Sequence, residues 1–234
     1  MNKLLTDRQE LVLLMIDRFG HICSTQLCRL LRNEMSYVTV YAALKRLRYL
    51  GLIEGQKIGS KLLLCIKPKG TKFMGSNLSP FTKAKIYDLN HLLLMNDCLL
   101  ALKHAEDQRG KEFRFITERE LRSRYIENFL TRAERKIPGN LKSIPERIPD
   151  FVVQDEFGDI AYEIELTQKS SKRYIKKLER YKGQCINGDY RLVRYICSTD
   201  RILDVVKVAA SKASFPKEML QFGTVKAVLQ HGKN

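Results

Sequence analysis

The sequence predicts a mixed α+β protein made of two domains. Three observations carry that prediction. Before residue 51, apolar residues recur at helical spacing in three successive segments, and two short apolar strands follow. A stretch rich in Gly, Pro, Ser and Lys then interrupts the pattern. Beyond it the segments run helix, strand, helix, two strands, helix, strand, helix, strand, and the first of the paired strands opens at Pro149-Asp150.

Leu4, Leu11, Leu14 and Met15 follow helical spacing around a cap at Thr6, and Gly20 ends that helix. Ser24-Thr25 predicts the cap of a short helix carrying Leu27, Leu30 and Leu31. After a turn at residues 33–36, a third helix sets Val40, Leu44, Leu47 and Leu50 on one face, and Gly51 closes it. Residues 52–57 and 61–66 predict two strands joined at Ile58-Gly59-Ser60. Three helices and a hairpin follow the order of a winged helix-turn-helix, which the segment L-K-R-L-R-Y-L-G-L-I-E also resembles. In such a domain the start of the third helix enters the major groove. Ser36, Tyr37, Thr39 and Tyr41 are then candidates for base edges or phosphates, and Lys45, Arg46 and Arg48 for phosphates. Lys57 and Lys61 flank the hairpin tip, in reach of backbone or minor groove. The same fold also serves protein contacts, and the charge favours DNA.

Residues 69–81 read as a linker between a domain at 1–68 and one at 82–234. Residues 82–106 predict a long, largely buried helix, and 113–116 a strand. Thr117 caps a helix from Glu118 to about Glu134. Residues 137–149, with three prolines and a glycine, predict a loop. Residues 151–154 and 160–166 predict a hairpin around Glu156-Phe157-Gly158-Asp159. A helix from Ser170 or Ser171 through Tyr181, a strand at 190–197, a helix at 201–212 and a last strand at 224–229 complete the chain.

Formal net charge is +16, which makes a polyanion the expected partner, as nucleic acid or an anionic membrane surface. Residues 1–86 hold 15 Lys/Arg against 5 Asp/Glu, so the first third carries most of the excess. No apolar run approaches the ~20 residues of a membrane span, and Asp7 and Arg8 break any signal-peptide layout. Six cysteines occur without a C-x-x-C pair, as expected for reduced, buried thiols in the cytoplasm.

Along residues 160–167 side chains alternate, so Glu163 and Glu165 share a face, and Asp150 starts the neighbouring strand. Three oxygen ligands of this kind suit Mg²⁺ or Mn²⁺, which would activate a water and stabilise charge on a phosphoryl group. The spacing also fits two ordinary acids on a solvent-facing strand. Lys172, Arg173, Lys176, Lys177, Arg180 and Lys182 make the next helix basic, around Tyr174 and Tyr181. A second basic set is Arg119, Arg122, Arg124, Arg132 and Arg135. Either set could track DNA phosphates.

With the insertion at 118–134 set aside, the order of elements together with Asp150 and Glu163 resembles the PD-(D/E)xK nuclease superfamily. Glu165 stands where that family usually has Lys, which leaves the water-orienting role to Glu165, Lys169 or Lys172. Glu118 resembles an extra acidic position of some members, and other members bind without cleaving. A narrower resemblance rests on N-H-x-L-x-x-x-D at 90–97, I-T-E-R-E-L-R at 116–122, R-I-P-D at 147–150, E-I-E at 163–165 and K-K-L-x-x-Y at 176–181. These motifs, in this order behind a winged helix, look like the replication-relaxation group of plasmid proteins and are similar to MobC-type relaxases. The resemblance implies metal-dependent nicking of one DNA strand at a plasmid transfer origin, aided by an accessory mobilisation or coupling protein. Conventional relaxases use a three-histidine metal site and a tyrosine nucleophile. This chain has four dispersed histidines, so the expected site is Asp150, Glu163, Glu165 and Lys169, with Tyr174 and Tyr181 as alternative nucleophiles. Cleavage of both strands would need a homodimer or a partner. A non-catalytic replication or transcription regulator is the competing expectation.

Overall fold

The computed structural model describes residues 4–78 and 86–231. The chain is mixed α+β, with a three-stranded and a five-stranded sheet among the described residues. It divides into two compact units, residues 1–96 and 97–234. The division falls inside a helix at Ile86–Gln108 rather than in the 69–81 stretch.

In the first unit, α1 (Asp7–Phe19) starts where Thr6 and Gln9 cap each other, each backbone N–H donating to the other's side chain, at 3.1 and 3.4 Å. A three-residue strand, β1 (His21–Cys23), follows at once and is too short to leave a periodic signal in the sequence. Helix α2 (Ser24–Leu30) is capped one residue earlier than predicted, at Cys23, whose N–H donates to the Gln26 side chain at 3.1 Å. Helix α3 (Tyr37–Tyr49) starts behind Ser36, whose hydroxyl accepts the Thr39 N–H at 3.3 Å. Gly51 then turns the chain at φ +68°, where an L side chain is strained. Strands β2 (Ile53–Ile58) and β3 (Lys61–Ile66) form the predicted hairpin, and β1 pairs with the free edge of β3. Val12, Leu13, Ile16, Leu27, Leu47 and Leu64 fill the core, each contributing about 1.5–3 kcal/mol by burial.

The predicted linker contains a helix, α4 (Pro68–Met74). Its Pro and Gly have helical uses. Pro68 sits in the first turn, where no N–H is needed. Gly70 lets the helix close on the hairpin, since a Cβ there would lie 2.3 Å from the Leu52 carbonyl oxygen. The first part of α5 (Ile86–Gln108) belongs to this unit, with Leu89 and Leu93 packed on Cys23 and Leu63. Asn96 donates to the His21 carbonyl at 3.0 Å. The predicted helix start at residue 82 lies outside the described residues.

In the second unit, β4 (Arg114–Thr117) leads into α6 (Glu118–Phe129), which ends five residues before the predicted stop. The Thr131 N–H and hydroxyl both bond to Glu134, forming a separate turn. The predicted loop at 137–149 holds α7 (Pro138–Ser143) and a 3-10 turn at Ile144–Glu146. Strands β5 (Phe151–Asp155) and β6 (Gly158–Glu165) form the predicted hairpin. Helix α8 (Ser171–Ile186) outruns its predicted end at Tyr181, and β7 (Leu192–Cys197) and α9 (Asp200–Lys212) follow. The predicted last strand at 224–229 is a helix, α10 (Val225–His231), and the strand precedes it as β8 (Leu220–Thr224). The Thr224 hydroxyl accepts the Ala227 N–H at 3.2 Å, turning a β-branched run into a capped helix.

The sheet order is β4-β5-β6-β7-β8. β4 runs antiparallel to β5 across the connection that holds α6 and α7, β5 and β6 form the antiparallel hairpin, and crossovers through α8 and α9 make the last three strands parallel. Register sets Ile116, Val152, Ala161 and Val193 side by side on one face. Tyr174, Leu178 and Tyr181 of α8 and Ile202, Val206 and Ala209 of α9 join the core that contains Ala161 and Val193. Among the described residues no helix is long and apolar enough to cross a membrane.

Candidate functional site

Two residues along that face from the Val152–Ala161–Val193 row come Asp150, Glu163 and Tyr195. Glu165 and Cys197 follow one row further. The sheet thus brings Asp150, Glu163 and Glu165 together at the carboxyl ends of β6 and β7, as the sequence predicts. Asp150 is fixed by the ladder: its N–H donates to the Tyr162 carbonyl at 3.0 Å, and its carboxylate accepts the Ile164 N–H at 2.7 Å. Glu118 follows Thr117, the β4 residue paired with Phe151, at this end of the sheet.

Neither glutamate faces solvent; both are about 1% exposed. Each is met by a lysine and a tyrosine. Lys177 donates to Glu163 at 2.7 Å, and the Tyr181 hydroxyl donates to its other oxygen. Lys169 donates to Glu165 at 2.9 Å, with the Tyr174 hydroxyl at 3.5 Å. Burial pushes the Glu163 carboxyl up to about 7, against the pull of Lys177 and with the repulsion of Asp150 and Glu165. Burial raises Glu165 as well, opposed by Lys169. Burial tends to lower the Lys169 ammonium, but Glu165, Glu163 and Asp150 together hold it above its ordinary value.

Lys169 thus brings an ammonium against Glu165, the position at which this chain has no lysine. Lys172 is exposed on α8. Lys177, expected on DNA, points inward to Glu163. Arg173, also expected on DNA, is paired with Glu146, a carboxylate that sequence reasoning passed over inside a supposed loop. Lys172 and Lys176 keep exposed positions. The arginine set is divided: Arg119 is buried, Arg122 and Arg135 bond to backbone carbonyls, and Arg124 and Arg132 are exposed. Tyr174 and Tyr181 are buried, and burial raises Tyr174 to about 12 and Tyr181 well above its ordinary range, which disfavours either as a nucleophile.

Among the described residues no three His, Cys, Asp or Glu side chains are gathered as a metal-ligand set, and an oxygen of each glutamate is bonded to a lysine. The donor chemistry still suits a hard divalent ion. The Tyr195 hydroxyl is a second sign: it is fully buried without a hydrogen-bond partner, in the field of Glu163, Glu165, Tyr174 and Asp150. A buried polar atom without a protein partner is uncommon, and this one lies beside the carboxylates that would face a bound ion.

In the first unit, Tyr37, Tyr41, Lys45, Arg46 and Arg48 are all exposed along α3, as predicted. Ser36 serves as the helix cap, and Thr39 bonds to it at 3.0 Å, so these two shape the helix start. The Tyr41 hydroxyl donates to Ser24 at 3.3 Å. Val38 and Tyr49, 60% and 81% exposed, extend this surface and were missed because apolar periodicity marks only the buried face. The Arg46 guanidinium lies 5.7 Å from the centre of the Tyr49 ring. Lys57 and Lys61 are exposed at the hairpin tip. A cavity of about 990 Å³ between the hairpin and α4 lies within this unit and includes none of the predicted site residues. Comparison of the chain with family models, curated proteins and solved structures gives no match.

Proposed function

We propose that this chain is a DNA-binding, metal-dependent endonuclease: a winged helix-turn-helix joined to a PD-(D/E)xK-type core, nicking one strand at a plasmid transfer origin. The reading rests on one observation above all: Asp150, at the start of β5, and Glu163 and Glu165, at the carboxyl end of β6, lie at one end of the sheet with Lys169 bonded to Glu165. The exposed basic and aromatic surface of α3 supports DNA as the substrate. Asp150, Glu163 and Glu165 would hold Mg²⁺ or Mn²⁺, with Glu118 at the end of the same sheet as a further acid. When bound, the ion would supply a lowered water pKa and a positive field for the phosphoryl oxygens. Lys169 would orient the water, and Lys172 and Lys176 would hold flanking phosphates.

A second reading is a non-catalytic replication or transcription regulator on the same scaffold. The two lysine–glutamate pairs favour it, because they satisfy the carboxylates without a metal. The test is incubation of supercoiled plasmid carrying the DNA that flanks this gene, with Mg²⁺, Mn²⁺ or EDTA, for wild type and Glu165→Ala. Metal-dependent open circles that disappear in the variant support the nickase. Intact supercoils in every lane, with demonstrable binding to the same DNA, favour the regulator.

A further inference from the structure

Beside the carboxylate row, one anion sits among cations. The Glu146 carboxylate takes two bonds from the Arg173 guanidinium, and the Arg180 guanidinium donates to the Glu146 carbonyl oxygen. Arg173 holds this carboxyl below its ordinary range despite partial burial, and the fields of Lys177 and Lys169 act in the same direction. Arg173 in turn lies in the field of Glu165. The segment is anchored on both sides, since Ile144 and Ile148 are buried in the core with Ile116 and Val152. Packing of its neighbours therefore holds the Glu146 backbone in place, while the ion pair itself faces solvent: the Arg173 and Glu146 side chains are 52% and 42% exposed.

We propose that Arg173, with Lys169 beside it, forms a binding position for a nucleic-acid phosphodiester, and that Glu146 holds that position as a built-in anion in the free protein. Guanidinium groups bind carboxylate and phosphate through the same two-pronged geometry. An exposed ion pair is weak enough for a phosphate to displace. The contact thus lowers affinity for DNA that does not fit the site and releases Arg173 when a phosphate arrives beside Glu165. The inference rests on the DNA-binding reading above.

The experiment compares binding of a 20-base-pair duplex, and separately of inorganic phosphate, to wild type, Glu146→Gln and Glu146→Gln/Arg173→Ala in EDTA. Gln keeps the backbone carbonyl that holds Arg180, and thermal melting checks that the variants are folded. Glu146→Gln should bind the duplex about fivefold tighter, the factor equivalent to the ~1 kcal/mol upper end for an exposed pair. Its log–log salt slope should steepen by about one. The double variant should lose both gains. Unchanged duplex binding in Glu146→Gln, with wild type binding normally, overturns the inference and leaves the DNA-binding reading standing. A gain for inorganic phosphate alone overturns the phosphodiester assignment, and no duplex binding by any variant overturns both readings.

Discussion

Replacing Lys177 with Met should produce a loss of stability that grows with pH. The substitution keeps the length of the side chain in α8 and removes the ammonium 2.7 Å from Glu163. In the native protein burial raises the Glu163 carboxyl to about 7, while in the unfolded chain it titrates near its ordinary 4.5. A carboxyl raised on folding favours the fold when protonated, and that advantage is lost as pH rises from 4.5 through 7. At about 1.4 kcal/mol per pH unit the wild-type loss levels off near 3 kcal/mol above pH 7. Without Lys177 the carboxyl stays protonated to higher pH, so the loss continues past 7. The variant should therefore fall about 2 kcal/mol further behind wild type at pH 8.5 than at pH 5.5, on top of a pH-independent packing term. The combined cost at pH 8.5 should stay within the ~3–5 kcal/mol of a broken buried pair. Urea unfolding at the two pH values, in EDTA, measures it. A gap of equal size at both would refute the assignment of Lys177 to an ionised Glu163.

Three further outcomes follow from geometry already described. Lys45→Ala should weaken duplex binding uniformly across sequences and reduce the log–log salt slope by about one, read by anisotropy titrations at several salt concentrations. Gly70→Ala should lower stability by about 1–3 kcal/mol, because its Cβ would meet the Leu52 carbonyl oxygen at 2.3 Å; a thermal melt with unchanged midpoint would contradict that approach of α4. Tyr195→Phe removes a buried hydroxyl that has no protein partner, so stability in EDTA should hold or rise by up to about 1–2 kcal/mol; a clear loss would mean that an ordered water satisfies it.

The legible parts of the sequence were those with a local signal. Thr6 and Thr117 announce their helices because capping acts within four residues. The register of Asp150 against Glu163 was legible because a hairpin pairs neighbours in sequence. What was not legible depends on distant partners. Lys177 looks like any basic helix residue until β6 is placed beneath α8. Glu146 sits among prolines that suggested a loop, and only its anchors Ile144 and Ile148 hold it beside the site. Tyr195 reads as an ordinary strand aromatic, since the parallel pairing that sets it beside Glu163 joins segments 32 residues apart. The 224–229 stretch reads as a strand by its valines, a propensity overridden by the Thr224 cap.

The two lysine–glutamate pairs differ in what carries the lysine. Lys177 lies within α8, whose buried face holds it, so its ammonium cannot leave Glu163 without disturbing the helix packing. Lys169 lies in the irregular stretch between β6 and α8, with its backbone N–H tied to the Tyr174 hydroxyl at 3.1 Å and its side chain 27% exposed. Its ammonium can swing while the backbone stays tethered. Glu163 is therefore the more firmly held of the two carboxylates, and Glu165 the one more readily uncovered. A cation entering this row would meet the Lys169 charge first, on the side chain that is more exposed and is not carried by a helix.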